Sequence, residues 1–540
     1  MVEVPTGDGK RRGSSPWTPF RHPVFRAIWA ANVVSYIGTW VQQVAAQWLM
    51  TDLAPRPIMV ALVQATTGLA MFMVVVPSGA LADLVDRRRV LLGAQVWQLL
   101  AAGALGALTV AGWITPWSLL LFTLLLGFGA AVNQPAWTAI LPELVPRDEL
   151  PSAIVSTSVG VNIARAVGPA LGGALVATAG AGVAFLANAA SYLGLVGVLG
   201  RWKRPAESRD LPREPFPGAV RTGVRYVRHT PQMVSVLVRL GLFVFAGSAL
   251  WALLPLVARQ RLGLSAGGFG VVVTAFGIGA VSGAVALGPL RRRLTLDRVV
   301  TVSIVAFGVC LAAVGQVTEL APFLVIVFVA GGAWLNLLSG FNTAAQTVLP
   351  SWVRARGMSL YVLTFFGGTT AGSILWGTVA GRFGLPAALA TAGAIVVLGV
   401  MAGGRFRIRE TEGLDLSPTR HWPVPILSGE VDHDRGPVLV TVEYRVAADR
   451  HEAFEAGMAD VGRRRRRSGA YYWDLFADSS DPNRYVEVFL VQSWAEHLRQ
   501  HARVTALDQA AEARAQENLE PGTRPLIRHH LAAGPQGRMT

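Results

Sequence analysis

Gly79-Ala80-Leu81-Ala82-Asp83-Leu84-Val85-Asp86-Arg87-Arg88-Arg89 is a short charged passage between two apolar runs, residues 58–81 and 90–111. About 20 apolar residues in one helix cross the hydrocarbon core of a bilayer, and a turn with three arginines between two such runs reads as a connection on the positive side. Outward from that turn, further runs bounded by Pro, Gly or charge cover 24–50, 116–137, 153–177 and 181–200, then 234–258, 265–288, 299–316, 321–345, 357–380 and 384–402. The 540 residues are 52% hydrophobic and 15% charged, whereas soluble domains are about a quarter charged. An ordinary soluble enzyme is excluded.

The pattern predicts an all-α membrane protein of twelve transmembrane helices with a further domain at the C-terminus. Its parts are an N-terminal segment 1–23, a six-helix bundle 24–200, a polar central loop 201–232, a second six-helix bundle 233–403, a linker 404–436 and an α+β domain with tail 437–540. Arginines gather in the even-numbered connections (Arg87–Arg89, Arg147, the central loop, Arg291–Arg293, Arg354 and Arg356), and the odd-numbered ones hold only Arg56, Arg259, Arg261 and Arg382. By the positive-inside rule both termini, the central loop and the C-terminal domain face the cytoplasm. Lys10, Arg11 and Arg12 precede no short apolar core with a cleavage site, so no signal peptide is expected.

The net charge of +15 lies largely beside the apolar spans, which points to a lipid bilayer and away from nucleic acid. Cys310 is the single cysteine, so neither an internal disulfide nor a thiolate metal cluster can form. The two halves also match each other: Gly79 with Gly288, each followed by arginines, Pro142 with Pro350, and Gly168 with Gly372. A duplicated bundle can rock about a central site and expose it to each side in turn.

The passage from Gly79 to Arg89 resembles the signature of the major facilitator superfamily, with Leu84 where that signature usually has a basic residue. The resemblance implies a gate latch made by Gly79, Asp83, Arg87 and Arg88. Gly168-Pro169-Ala170-Leu171-Gly172-Gly173 resembles the antiporter motif of exporters in the superfamily, with Ala164 in place of a further glycine. Small residues there would let a neighbouring helix approach closely. The run from Asn32 to Trp40, with Gln47 to Thr51 and the stretch from Pro135 to Pro146, is similar to the transmembrane secretion effector branch, which includes enterobactin-exporter-like proteins. That resemblance implies a bacterial inner-membrane exporter of a siderophore, antibiotic or other secondary metabolite.

Polar groups are costly in hydrocarbon and should face the interior or a partner. The candidate substrate path is therefore Asn32, Gln43, Gln47, Gln64, Asn133, Asn162, Arg165, Asn342 and Gln346. Arg165 either meets an anionic substrate, pairs with Asp83 or Glu143 in the gate, or snorkels to a helix end; Arg239 is expected to snorkel. Of Trp40, Trp48, Trp97, Trp251 and Trp334, most are expected to be interfacial anchors, with the lining of an aromatic cavity as the alternative. No Asp or Glu lies in the middle of a span. Either Asp52 or a gate acid carries the proton, or the coupling ion is not a proton; Asp52, ending the first span on the outer side, is the first choice.

After Ser417 the composition changes. Val438–Tyr444 alternates as a strand, Phe454, Met458 and Val461 form a helical stripe, Tyr471–Phe476 and Tyr485–Val491 read as strands, and Trp494–Glu517 as a second helix. The order β-α-β-β-α predicts a ferredoxin-like domain, which resembles small antibiotic-biosynthesis monooxygenases. Arg463–Arg467 read as a solvated helix end, with contact to anionic lipid headgroups as the alternative. His497 and His501 have metal-ligand spacing but no evident third ligand, so no metal and no cofactor are expected. No phosphate-binding loop or redox motif is present, and no catalytic residue is assigned. A secondary-active exporter, not an enzyme, is the expected function, with a membrane-tethered enzyme or an importer of the same fold as alternatives. Nothing in the sequence sets the oligomeric state.

Overall fold

The computed structural model describes residues 17–84, 86–146, 148–202, 216–408, 415, 417, 419, 421–422, 432 and 435–533, with the side chains at 75–84, 139, 216–220 and 402 outside the description. Helix α1 runs Pro23–Leu53, α2 Pro57–Leu84, α3 Arg87–Val110, α4 Pro116–Leu144, α5 Leu150–Arg201, α6 Phe216–Arg228 and α7 Pro231–Leu256. A π-helical turn, Val257–Arg261, extends α7; then come α8 Ala266–Arg291, α9 Leu296–Val314, α10 Leu320–Val348, α11 Ser351–Phe383 and α12 Leu385–Arg405. Among the described residues, ten helices are long and apolar enough to cross a membrane.

Local chemistry sets the helix ends. Proline, whose missing N–H costs nothing in a first turn, opens α1, α4 and α5. Side chains of Asp86, Thr115, Ser265 and Thr295 accept backbone N–H groups at the starts of α3, α4, α8 and α9. Helix α5 is 52 residues long and breaks at Gly180, where φ is +84°, a conformation that other residues rarely adopt. The break falls between the apolar runs 153–177 and 181–200.

One expected loop is partly helical. Within 201–232, α6 buries Thr222, Tyr226 and Val227 and exposes Arg221 and Arg228, while residues 203–215 lie outside the described residues. A hydropathy reading passes over such a short amphipathic helix, because it has no continuous apolar run.

The chain forms two compact units. The first comprises Met1–Asp210, Arg239–Gly340 and Val362–Arg405. In it α5 packs along α1, α3 and α8, α2 packs on α4, and α9 on α12. The second comprises Leu211–Val238, Phe341–Tyr361 and Phe406–Thr540. It contains β1 Val438–Arg445, α13 His451–Ser468, β2 Tyr472–Ala477, β3 Arg484–Val491, α14 Trp494–Arg503, α15 Ala506–Gln516 and β4 Leu526–Leu531.

The strands form one antiparallel sheet in the order β2-β3-β1-β4, so with its helices this is the ferredoxin-like β-α-β-β-α-β arrangement. Val438, Val440, Val442 and Tyr444 of β1 and Phe454, Met458 and Val461 of α13 share its core. Two features depart from the sequence reading. The single helix expected over Trp494–Glu517 is two, because Thr505 and Asp508 form a capping box that starts α15 anew. The edge strand β4 was not expected, since Arg528, His529 and His530 interrupt any apolar alternation.

Apart from exposed Arg463, the arginines 463–467 are not a solvated helix end. Arg465 is 6% exposed and donates from Nε to Glu487 Oε1 at 2.9 Å and from Nη1 to Glu512 Oε1 at 2.6 Å. Glu487, fully buried, also accepts from Tyr444 Oη and Trp473 Nε1, each at 2.8 Å. Arg464 and Arg467 both reach Asp508. Burial works against the Arg465 charge, but the facing Glu487 and Glu512 outweigh it and hold the guanidinium protonated. Arg465→Met leaves Glu487 without its counter-charge, and breaking such a buried pair costs about 3–5 kcal/mol. Equilibrium unfolding of the full chain in detergent, followed by tryptophan fluorescence, should show that loss; an unchanged transition would count against the buried network.

Candidate functional site

At the turn between α2 and α3, Gly79 and Asp83 lie on α2 with side chains outside the described residues. Arg87 donates from Nη1 to Glu143 Oε1 at 2.9 Å, tying the first turn of α3 to the last turn of α4. Arg88 donates from Nε to the Leu199 carbonyl at 2.7 Å and from Nη2 to the Gly200 carbonyl at 2.6 Å. Those carbonyls end α5 and have no intrahelical donor. Glu143, offered by the sequence as a gate partner of Arg165, is thus a partner of the arginine turn.

Gly168, Pro169, Gly172 and Gly173 are all buried on α5. Gly172 meets α1: a Cβ there would stand 2.9 Å from Val41 Cα. Gly173 meets α8, where a Cβ would stand 2.8 Å from Gly270 Cα and 2.7 Å from the Ala266 carbonyl oxygen. Gly168 faces Trp40. The α8 side of this seam, Gly270 and Gly277, was missed by the sequence reading, although the many glycines of α8, among them Gly279 and Gly283 four apart, signal a close helix contact.

Asp52, at the end of α1, pairs with Arg259 in the π-helical turn that follows α7. Arg259 also donates to Thr51 Oγ1 at 2.8 Å and lies over the Trp48 ring, 5.6 Å from its centroid. The pair therefore ties the end of α1 to the turn that follows α7. Arg239 does not snorkel: it is 2% exposed, pairs with Asp297 at the start of α9, and reaches Thr301. Asp297 was not singled out because it precedes its apolar run by two positions.

The proposed path residues divide into engaged and unengaged groups. Asn133 accepts from Gln95 Nε2 at 3.0 Å, and Gln346 donates to Asn342 within the second unit. Asn32 and Gln47 are buried with amide nitrogens that have no hydrogen-bond partner among the described residues. Gln43, Gln64 and Asn162 are half-buried. Arg165 is half-buried too, and among the described residues no hydrogen bond or ion pair engages it; its carbonyl lies against Gly277 of α8. Sequence reading missed a satisfied cluster in which Asn188, fully buried, binds Gln42 and Tyr192.

Three of the tryptophans form an interior row, the alternative to interfacial anchoring. Trp40 and Trp334 each stand 6.4 Å from Trp251, centroid to centroid, and Phe276 meets Trp251 edge-on at 4.7 Å. Helix spacing brings these rings together from different segments, which no single-segment reading shows. Trp97 is exposed.

The second unit holds a cavity of about 510 Å³ between sheet and helices, lined among others by Trp422, Tyr444, Arg465, His497, His501 and His529. Burial, with His501 and His529 adding to it, lowers the His497 pKa to about 3, and burial with His529 and Arg465 lowers that of His501 to about 4. His529 is lowered by burial and by His530. All three imidazoles are neutral at physiological pH.

A family profile described as "transmembrane secretion effector" matches residues 14–536. The enterobactin exporter EntS of Salmonella typhimurium is 28% identical over 407 residues, which is 72% of this chain and 95% of that protein. EntS of Citrobacter koseri is 27% identical over 388 residues, 70% of this chain and 91% of the relative. Among solved structures, an inward-facing bacterial homologue of the human lysosomal transporter Spinster superposes with a TM-score of 0.56 at 16% identity, over 72% of this chain and 96% of that one. The nucleoside transporter NupG superposes with a TM-score of 0.58 at 13% identity, over 71% and 100%. These likenesses show the fold.

Forcing side chains into the α5 seam should impair turnover without preventing membrane insertion, because the span stays apolar while the backbones are pushed apart. Overpacking costs about 1–3 kcal/mol, roughly a tenfold loss. Efflux at matched expression should fall by that factor in Gly173→Leu and Gly168→Leu and less in Pro169→Ala; normal efflux in the glycine variants would remove the seam from the transport cycle.

Proposed function

This chain belongs to the transmembrane secretion effector family of the major facilitator superfamily, and from that premise we propose that it exports an acidic, amphipathic small molecule, of the siderophore or secondary-metabolite class, by alternating access. It is a multi-pass secondary-active exporter and not an enzyme; neither the tethered-enzyme nor the importer reading is favoured. The ten apolar helices, α1 and the division of α5 at Gly180 support twelve crossings in two six-helix halves, 24–200 and 233–403. The bacterial exporters among its relatives support a bacterial inner membrane, and the arginine-rich even connections support the termini and the domain 437–540 on the cytoplasmic side.

The acidic character of the substrate rests on Arg165. A half-buried guanidinium without a partner among the described residues is costly in a bundle interior, and a carboxylate or similar anion would satisfy it with charge-assisted hydrogen bonds. Its position on α5, against α8, is at the seam where the two halves meet. Asn32 and Gln47 offer buried donors to the same class of ligand, and the row Trp40, Trp251 and Trp334 offers apolar faces. The relatives exporting enterobactin make a siderophore the first substrate to assay.

In this reading Asp52–Arg259 is a latch that must open when the halves separate at that end. Protonating Asp52 removes the charge that holds Arg259, which couples a proton to opening and makes the exporter an antiporter. The Arg87–Glu143 pair, with Asp83, serves the opposite end.

Two measurements test the proposal. Hydrogen bonds to a charged group contribute about 1.5–3 kcal/mol, so Arg165→Gln should raise KM for an acidic substrate roughly tenfold or more in inverted vesicles, with Arg165→Lys less affected. An unchanged KM would sink the acidic-substrate reading. Asp52→Asn should abolish uptake driven by an imposed pH gradient. Retained uptake excludes Asp52 as the carrier, and indifference of the wild type to the gradient excludes proton coupling.

A further inference from the structure

Three histidines from separate parts of the C-terminal domain converge on its cavity. His497 and His501 lie one turn apart on α14, and β4, paired to β1 at the sheet edge, brings His529 to them. One nitrogen from each ring falls within 4.8 Å of the others. His497 Nε2 and His501 Nε2 are 3.2 Å apart. A tetrahedral ion with metal–nitrogen bonds of about 2.0–2.1 Å separates its ligand nitrogens by about 3.3 Å, so two of the three donors already stand at ligand spacing.

The protein gives these rings little else to bind. His497 is 1% exposed, and its Nδ1 has no hydrogen-bond partner among the described residues. If His497 Nε2 donates to His501, a buried Nδ1 lone pair is left over. With the proton on Nδ1, Nε2 is free as a donor to a metal, and the nearby Gln500, whose buried Oε1 is also unpartnered, is placed to accept that proton's hydrogen bond. A neutral imidazole oriented by an outer hydrogen bond is the usual form of a metal-ligating histidine. His421 is not part of the set, since it is held by Glu512 at 3.0 Å. The Arg465 charge at the cavity wall is faced by two carboxylates, Glu487 and Glu512, and so does not repel a cation unopposed.

We propose that His497, His501 and His529 form a binding site for a divalent transition-metal ion of the imidazole-preferring series, zinc foremost, with at least one coordination position open to the cavity. Three neutral nitrogens and no carboxylate disfavour calcium and magnesium. Three protein ligands also leave a fourth position, as in sites that bind water or a small ligand at the ion. The cavity of about 510 Å³ leaves room beside the ion for a small molecule. Exposed Arg524, on the same wall, suits an anionic one.

The full-length protein, purified in detergent through a tag without histidine and stripped with a chelator, is titrated with zinc against a chromophoric competitor. One ion per chain is expected. His529→Gln and the double variant His497→Gln/His501→Gln should bind at least about tenfold more weakly. His530→Ala should bind as the wild type does, because His530 alternates to the other face of β4. Cobalt loading of the wild type should give visible ligand-field bands that His529→Gln lacks, and tryptophan fluorescence checks that each variant is folded. Absence of stoichiometric zinc binding by the wild type, or its full retention in folded His529→Gln, overturns the proposal.

Discussion

Helices α5 and α8 meet backbone to backbone. A Cβ on Gly173 would stand 2.8 Å from Gly270 Cα, and one on Gly270 2.9 Å from Gly173 Cα, both far inside van der Waals contact with the facing helix. Between apolar helices in lipid there is no hydrophobic gain from association, so close packing of backbone and small side chains has to hold them together. Helix α5 does this twice, through Gly172 to α1 and through Gly173 to α8. A contact of that kind is tight and has no long side chains to disentangle.

Polar groups inside the bundle follow a simple division. Arg239 with Asp297, Asn188 with Gln42 and Tyr192, and Gln95 with Asn133 satisfy one another and hold helices in place. Arg165, Asn32 and Gln47 keep donors without such partners among the described residues. An unsatisfied donor in a low-dielectric interior is unfavourable until a partner satisfies it, which is the ground on which the second group is proposed to meet the substrate.

The C-terminal domain solves a different problem. Its core holds a charged group, Arg465, between Glu487 and Glu512, and the same α13 directs Arg464 and Arg467 to Asp508. Neighbouring elements of the unit are drawn in by the same chemistry: Arg225 of α6 meets Glu496 at 3.1 Å, and Arg503 lies over Trp352. The histidines sit beside this charged core and stay neutral because burial opposes a further positive charge there.

What the sequence determined by itself was whatever a contiguous stretch can encode. Each apolar run of helix length became a helix, the break at Gly180 fell between two runs, and the alternation in Val438–Tyr444 and Tyr485–Val491 became strands, because hydropathy and period are properties of neighbours along the chain. The glycines of Gly168–Gly173 were legible as a contact surface, but not which helix each would touch. Tertiary structure alone decided the pairings: Asp52 with Arg259, Arg239 with Asp297, Trp40 with Trp251 and Trp334, and His529 with His497 and His501. Those partners are far apart in the chain, and the edge strand that brings His529 has no apolar alternation, so its place follows only from pairing with β1.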